Sequence, residues 1–254
     1  MTATRDWDAV TYDRVSNPQL GWAREQLVRL SLAGDEVVLD AGCGSGRVTA
    51  LLADLVPTGR VYGVDVAPSM AAHASEALGD RATVLCQDLV ALDLPEPVDA
   101  IFSNATFHWI HDHDALFAAL FRALRPGGQL VAQCGGKGNI DAFRTLADAI
   151  SGEEPFASYF ADWQRPSNYA TDTETALRLE RAGFAEVRTW LEPKSVTPED
   201  ARSFIQTVCL VRHLDPLPEE LRGPFVGRVL ERSGHPFVLE YVRLNMTARR
   251  PGTA

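Results

Sequence analysis

The sequence predicts an α/β fold, a mostly parallel sheet between two layers of helices, and three observations predict it. Short apolar, β-branched runs alternate along the chain with stretches whose apolar residues recur at helical spacing. The first of these runs passes through a glycine-rich turn straight into a helix, as Val37-Val38-Leu39-Asp40-Ala41-Gly42-Cys43-Gly44-Ser45-Gly46 followed by 47–52. Five strand-plus-helix units follow one another, which implies right-handed crossovers and a ligand cleft at the C-terminal ends of the strands.

Composition narrows the function. A chain of 254 residues is long enough for one large α/β domain or a core with an inserted cap. With 46% hydrophobic and 23% charged residues it has the makeup of an ordinary globule. No apolar run has the length of a membrane span and the first residues do not open a signal peptide, so a cytoplasmic protein is expected. The net charge of −10 argues against a nucleic-acid partner, which calls for a basic stripe, and favours a small-molecule substrate. Cys43, Cys86, Cys134 and Cys209 form no C-x-x-C pair and read as small buried hydrophobes rather than disulfides or zinc ligands.

In chain order, residues 20–30 carry an amphipathic helix pattern, preceded by Trp7 and Tyr12, which either close over a ligand as a lid or staple the N-terminus to the core. The strand at 37–41 ends in Asp40 and the Gly42-x-Gly44-x-Gly46 turn. Glycine there lets a ligand approach the main chain, and the helix that follows adds its N-terminal partial charge. The spacing is not the G-x-G-x-x-G of a dinucleotide site. A second strand, 60–65, ends in Asp65, 23 residues after Gly42, where a carboxylate accepts both hydroxyls of a ribose. Val66 and Met70 at the next helix start can flank an adenine. A third strand, 82–86, leads into Gln87-Asp88-Leu89. A turn at 95–97 opens the fourth, 98–104, which ends in Asn104. Then come Ala105-Thr106-Phe107-His108-Trp109-Ile110, a helix with Leu116, Phe117, Leu120 and Leu124 on one face, and the turn Arg125-Pro126-Gly127-Gly128 before a fifth strand at 129–134. His108 is the candidate base of the chain, or else a packed histidine. His111-Asp112-His113-Asp114 reads as a helix cap rather than a metal site. Residues 137–171, dense in aromatics, and 197–236 interrupt the pattern. The framework resumes between them with a helix at 173–182 and a strand at 185–192, and ends in the alternating strand 238–247.

The segment Val37 to Gly46 resembles motif I of the class I S-adenosylmethionine-dependent methyltransferases. Asp65, Asp88 and the L-R-P-G-G turn fall in that family's order, and the likeness to its small-molecule members of the trans-aconitate type covers about 5–135. The resemblance implies a Rossmann-like three-layer sandwich of seven strands, mostly parallel with an antiparallel last strand, under a helical cap. It implies S-adenosylmethionine as cofactor, with Asp40 on the methionine ammonium, directly or through water. Gly42, Gly44 and Gly46 would lie along the cofactor tail, Asp65 on the ribose and Asp88 on the adenine amino group. Val66, Met70, Gln87, Leu89, Asn104 and Tyr12 complete the expected cofactor set, Trp109 faces the substrate, and no metal is expected.

The domain reading is 1–34 as lid and helix, 35–136, 172–192 and 237–248 as cofactor-binding core, and 137–171 and 197–236 as cap insertions. The sequence N-A-T-F at 104–107 is not the N-P-P-Y or D-P-P-Y of enzymes that methylate base amines. A small-molecule acceptor is expected, with a carboxylate oxygen as the leading target and a carbon or nitrogen atom as alternatives, in a monomer or homodimer. A carboxylate acceptor needs no base, whereas a phenol, amine or carbon acid often does. A nicotinamide oxidoreductase and a non-catalytic S-adenosylmethionine-binding protein are the rival readings.

Overall fold

Alternation of side chains across the central strands builds two cores, one on each face of the sheet. The computed structural model of the protein describes residues 17–164 and 167–252. The expectations for Trp7 and Tyr12 therefore lie outside the described residues.

The chain runs α1 (Asn17–Leu27), β1 (Val37–Ala41), α2 (Arg47–Leu55), β2 (Arg60–Asp65), α3 (Pro68–Leu78), β3 (Thr83–Cys86) and β4 (Val98–Asn104). It continues with α4 (His113–Ala123), β5 (Leu124–Gly135), α5 (Asp141–Ser151), α6 (Asp172–Arg181) and β6 (Ala185–Val196). It closes with the short α7 (Ala201–Phe204) and α8 (Val211–Leu214), then α9 (Glu219–Arg232) and β7 (Leu239–Arg249). Local chemistry sets several of these starts. Pro68 opens α3, where its missing N–H costs nothing. The Asp112 carboxylate accepts the Ala115 N–H at the start of α4, and Thr171 and Glu174 form a capping box on α6.

The seven strands form one sheet in the order β3-β2-β1-β4-β5-β7-β6. β1 to β5 pair in parallel, and β7 is antiparallel to both β5 and β6. The fold is Rossmann-like, as the sequence predicts. Val38, Ala100, Phe102 and Val131 pack on one face with Ala23, Leu27 and Leu52 of the helices there. Their strand neighbours Leu39, Ile101, Leu130 and Ala132 pack on the other face with Leu116, Phe117, Leu120 and Leu179.

A third core gathers where Leu239 and Tyr241 of β7 meet the cap segments. It joins Trp22 of α1 to Phe143 and Ile150 of α5 and to Phe204, Leu214 and Phe225 of the 197–236 excursion. A π-helical turn, Ile205–Cys209, lies between α7 and α8. All four cysteines are free, but only Cys43 and Cys134 are buried; Cys86 is exposed, because β3 is an edge strand.

Candidate active site

β1 lies between β2 and β4, so the strand order reverses beside it, and a ligand cleft is expected at that switch point. A cavity of about 420 Å³ opens there. Asp40 closes its floor at 1% exposure, with Thr49 Oγ1 of α2 donating to its carboxylate at 2.7 Å. Burial lifts its pKa to about 7 against the opposing pull of that hydrogen bond, and Asp65 adds repulsion.

The Asp65 carboxylate accepts the Gly44 and Ala67 N–H groups, both at 2.9 Å, and its pKa is raised by burial. Gly42 has φ +87°, and a Cβ on it would collide with Thr106. The loop donors turn inward: Gly42 and Cys43 N–H both go to the Val64 carbonyl, Gly44 N–H to Asp65 and Gly46 N–H to the Cys43 carbonyl. A loop that cradled a pyrophosphate would aim those donors at the ligand. This one presents acids instead. Two further acceptors meet no donor here, the buried Gln19 Oε1 and Asn104 Oδ1, and both residues line the cavity.

A second, smaller cavity adjoins the first, sharing Gln19, Ala105, Trp109 and Arg212 with it. Its wall also carries Arg144 of α5 and Arg243 of β7, together with His108 and His213, and among the described residues no Asp or Glu lines it. Arg144 lies over the Tyr169 ring at 4.4 Å and Arg212 over Trp109 at 5.5 Å. Arg243 is 2% exposed; its Nε donates to Gln133 Oε1 at 3.2 Å, and it lies over Trp22. His213 Nε2 sits 3.1 Å from Asp148 Oδ1.

A family model described as a methyltransferase domain matches residues 39–132. Trans-aconitate 2-methyltransferase of Methylobacterium nodulans is 29% identical, the match covering 96% of this chain and 98% of that one. Its namesake from Methylobacterium radiotolerans is 30% identical with the same coverage of both chains. The chain belongs to the class I S-adenosylmethionine-dependent methyltransferases. Haemonchus contortus phosphoethanolamine N-methyltransferase 2, solved with S-adenosylhomocysteine, shares the fold at a TM-score of 0.62 and 19% identity over 96% of this chain and 57% of that one.

As a methyltransferase it takes S-adenosylmethionine as cofactor and a small molecule as acceptor. The first cavity fits that cofactor: buried acids and orphaned acceptors suit an ammonium, and the withdrawn N–H groups do not suit a pyrophosphate. Asp40, Gly42, Gly44, Asp65, Val66, Met70, Asp88, Leu89, Asn104 and Trp109 all line it.

Three residues of the methyltransferase stand elsewhere than the sequence suggests. Gln87 is not on the wall; its amide pairs with both backbone groups of Asp93, at 2.9 and 3.1 Å, and braces the loop. Gly46 is also off the wall. It has φ +89°, and a Cβ there would press on Ala74 and Leu78, so it serves the packing of α2 against α3. His108 lines only the second cavity, where its Nδ1 accepts the Gly135 N–H at 3.3 Å. The neutral ring then carries its proton on Nε2 and offers a donor, not the lone pair a base needs. Burial foremost, then the Arg243 charge, hold its pKa well below the usual histidine value.

Within the His111–Asp114 run Asp112 caps α4, His113 is bonded to the Phe107 carbonyl at 3.0 Å and Asp114 is paired with Arg181, while His111 and Asp112 also line the first cavity. Gln19 was not legible as a cavity residue, since it lies in no motif, and Arg212 reads in sequence as one of several cap-segment arginines that either serve an anionic acceptor or lie on solvated surface; the fold brings α1 and α8 to the strand ends.

Proposed function

We propose that this methyltransferase methylates a carboxylate oxygen of a small anionic acid, producing a methyl ester. One observation carries the reading: in a chain of net charge −10, the cavity beside the cofactor site is lined by three arginines and, among the described residues, no acid. Guanidinium forks match carboxylates in shape and charge. The relatives named trans-aconitate 2-methyltransferase support the same class of acceptor.

S-adenosylmethionine, when bound, supplies a methyl group on a positively charged sulfur, and the carbon–sulfur pair stays with sulfur as the carbon–oxygen bond forms. Asp40, with Gln19 Oε1 and Asn104 Oδ1, holds the ammonium of the amino-acid tail. Asp65 accepts from the ribose hydroxyls and Asp88 from the adenine amino group, while Val66, Met70 and Leu89 flank the base. The excursions 137–171 and 197–236 act as the cap that shields the acceptor from water. An ionised carboxylate has no proton to lose, so the step needs no base, in keeping with a neutral His108 that donates.

The test is an acceptor panel of small carboxylic acids, phenols and amines incubated with the enzyme and S-adenosylmethionine and read by mass spectrometry. The expected product gains one methyl group and returns to the parent acid on mild alkaline hydrolysis. Methylation of an amine or phenol with no acid modified would sink the reading.

A further inference from the structure

Resting on the carboxylate reading, we infer that Arg144 and Arg243, with His108, form a subsite for a second anionic group of the acceptor, one that is not methylated. The argument starts from charge. As the ester forms, the acceptor's negative charge and the sulfonium's positive charge are both consumed. A cation held against the reacting carboxylate stabilises the ground state more than the transition state, and so opposes the reaction it binds for. A cation held against a spectator carboxylate acts equally on both states and lowers KM without a cost in kcat. A methyltransferase for a monocarboxylate gains nothing in kcat from a cluster of three arginines, one buried and two half-buried.

The arginines are arranged in two positions. Arg212 lines both cavities, so it stands where cofactor and acceptor meet, and its charge is tempered by Asp215 at 3.5 Å and by the Trp109 face. Arg144 and Arg243 line only the second cavity. They come from α5 and β7, nearly a hundred residues apart in the chain, yet both charges bear on the same His108 ring. Arg144 also meets Asp141, but at 3.4 Å and on the exposed side of α5. The His108 ring is buried and kept neutral, with Nδ1 occupied by Gly135, so Nε2–H adds a donor to the two guanidiniums without a third charge. Two guanidiniums and one N–H donor on the wall of one cavity make a site for a carboxylate or an anion of like geometry. The enzyme therefore selects acceptors with at least two acidic groups and methylates one of them.

A propene series tests this with the intact enzyme: trans-aconitate, trans-glutaconate and crotonate carry three, two and one carboxylates on the same skeleton. Initial rates give kcat and KM for each acid, and calorimetry gives its binding to the S-adenosylhomocysteine-loaded protein. The wild type is expected to favour glutaconate over crotonate by about tenfold or more in kcat/KM, carried by KM, with the same order in binding. Arg144→Gln should erase that preference by raising the glutaconate KM far more than the glutaconate kcat falls, and Arg144→Lys should restore part of it. A lost fold would instead depress all three acids and the S-adenosylhomocysteine affinity together, and in that case the wild-type and Arg144→Lys comparisons decide.

Crotonate serving as well as glutaconate in the wild type overturns the subsite while the carboxylate reading stands. So does an undiminished preference in a folded Arg144→Gln. If none of the acids binds or is methylated, the carboxylate reading falls and takes the subsite with it.

Discussion

In the cofactor site proposed above, Asp40 is the residue on which affinity and stability are expected to pull in opposite directions. Its carboxyl is fully buried and its pKa stands at about 7 without ligand, against an ordinary 3.8. A carboxyl raised in the folded state favours folding when protonated, and that contribution is lost as pH climbs through the folded value. Asp40→Asn escapes the loss, so the ligand-free variant should melt above the wild type. The gap should widen by ~2 kcal/mol between pH 5.5 and 8, because lifting a carboxyl by one pH unit is worth about 1.4 kcal/mol. The same variant should lose cofactor binding. An ammonium binds the ionised carboxylate, so wild-type affinity for S-adenosylmethionine should fall about tenfold per unit below pH 7, with about one proton released on binding at pH 6. Titration calorimetry in buffers of different ionisation heat reads that proton directly, and a release near zero would remove Asp40 from the ammonium site. Asp40 was legible, as a cavity residue, because the segment Val37–Gly46 resembles motif I of the family. Gln87 was not: its neighbours in sequence say nothing of the Asp93 backbone that occupies its amide.

The element that joins the two cavities is the turn after β4. Ala105 stands there at φ +58°, lines both cavities and donates its N–H to the Gln133 carbonyl at 2.7 Å. A non-glycine residue in that region is strained and persists where the surroundings hold it. Thr106 ties the turn to the glycine loop through the Gly42 carbonyl at 3.2 Å, and the Phe107–Trp109 turn follows. Ala105→Gly should leave the melting temperature and turnover close to wild type, since the relief of strain offsets the added backbone freedom. Ala105→Val places a β-branched side chain in the same conformation. It should cost roughly 1–2 kcal/mol and lower kcat, because Trp109 and Ala105 shift together at the junction. Equal turnover in the two variants would mean that the turn is not part of the transfer geometry. Sequence pattern marked this segment as a break after a strand, but the left-handed backbone at an alanine carried no signal, since glycine or asparagine is the usual occupant.

At the scale of the whole chain, the sheet was legible and the second cavity was not, for one physical reason. Strand, glycine turn, helix, strand and acid follow one another within 37–65, so local periodicity and spacing report them. The cation cavity draws on α1, α5, α8 and β7, which only the closed fold assembles, and an arginine on any one of them looks like solvated surface. The core itself makes the broadest prediction. Saturation with S-adenosylmethionine or S-adenosylhomocysteine at 100 times Kd adds about 2.7 kcal/mol to the folded state, which for a chain of this length raises the melting midpoint by roughly 5–10 °C. NAD at the same concentration should not move it. Its pyrophosphate needs main-chain donors, and those of Gly42, Cys43, Gly44 and Gly46 are already committed to Val64, Asp65 and Cys43, while Asp40 and Asp65 would repel its charge. A matching shift with NAD would show that the glycine loop reopens to accept anions, and the assignment of the acids around it would have to be redrawn. A shift confined to the sulfur ligands would mean that the loop's inward hydrogen bonds hold in solution and that the acids, not the backbone, choose the cofactor.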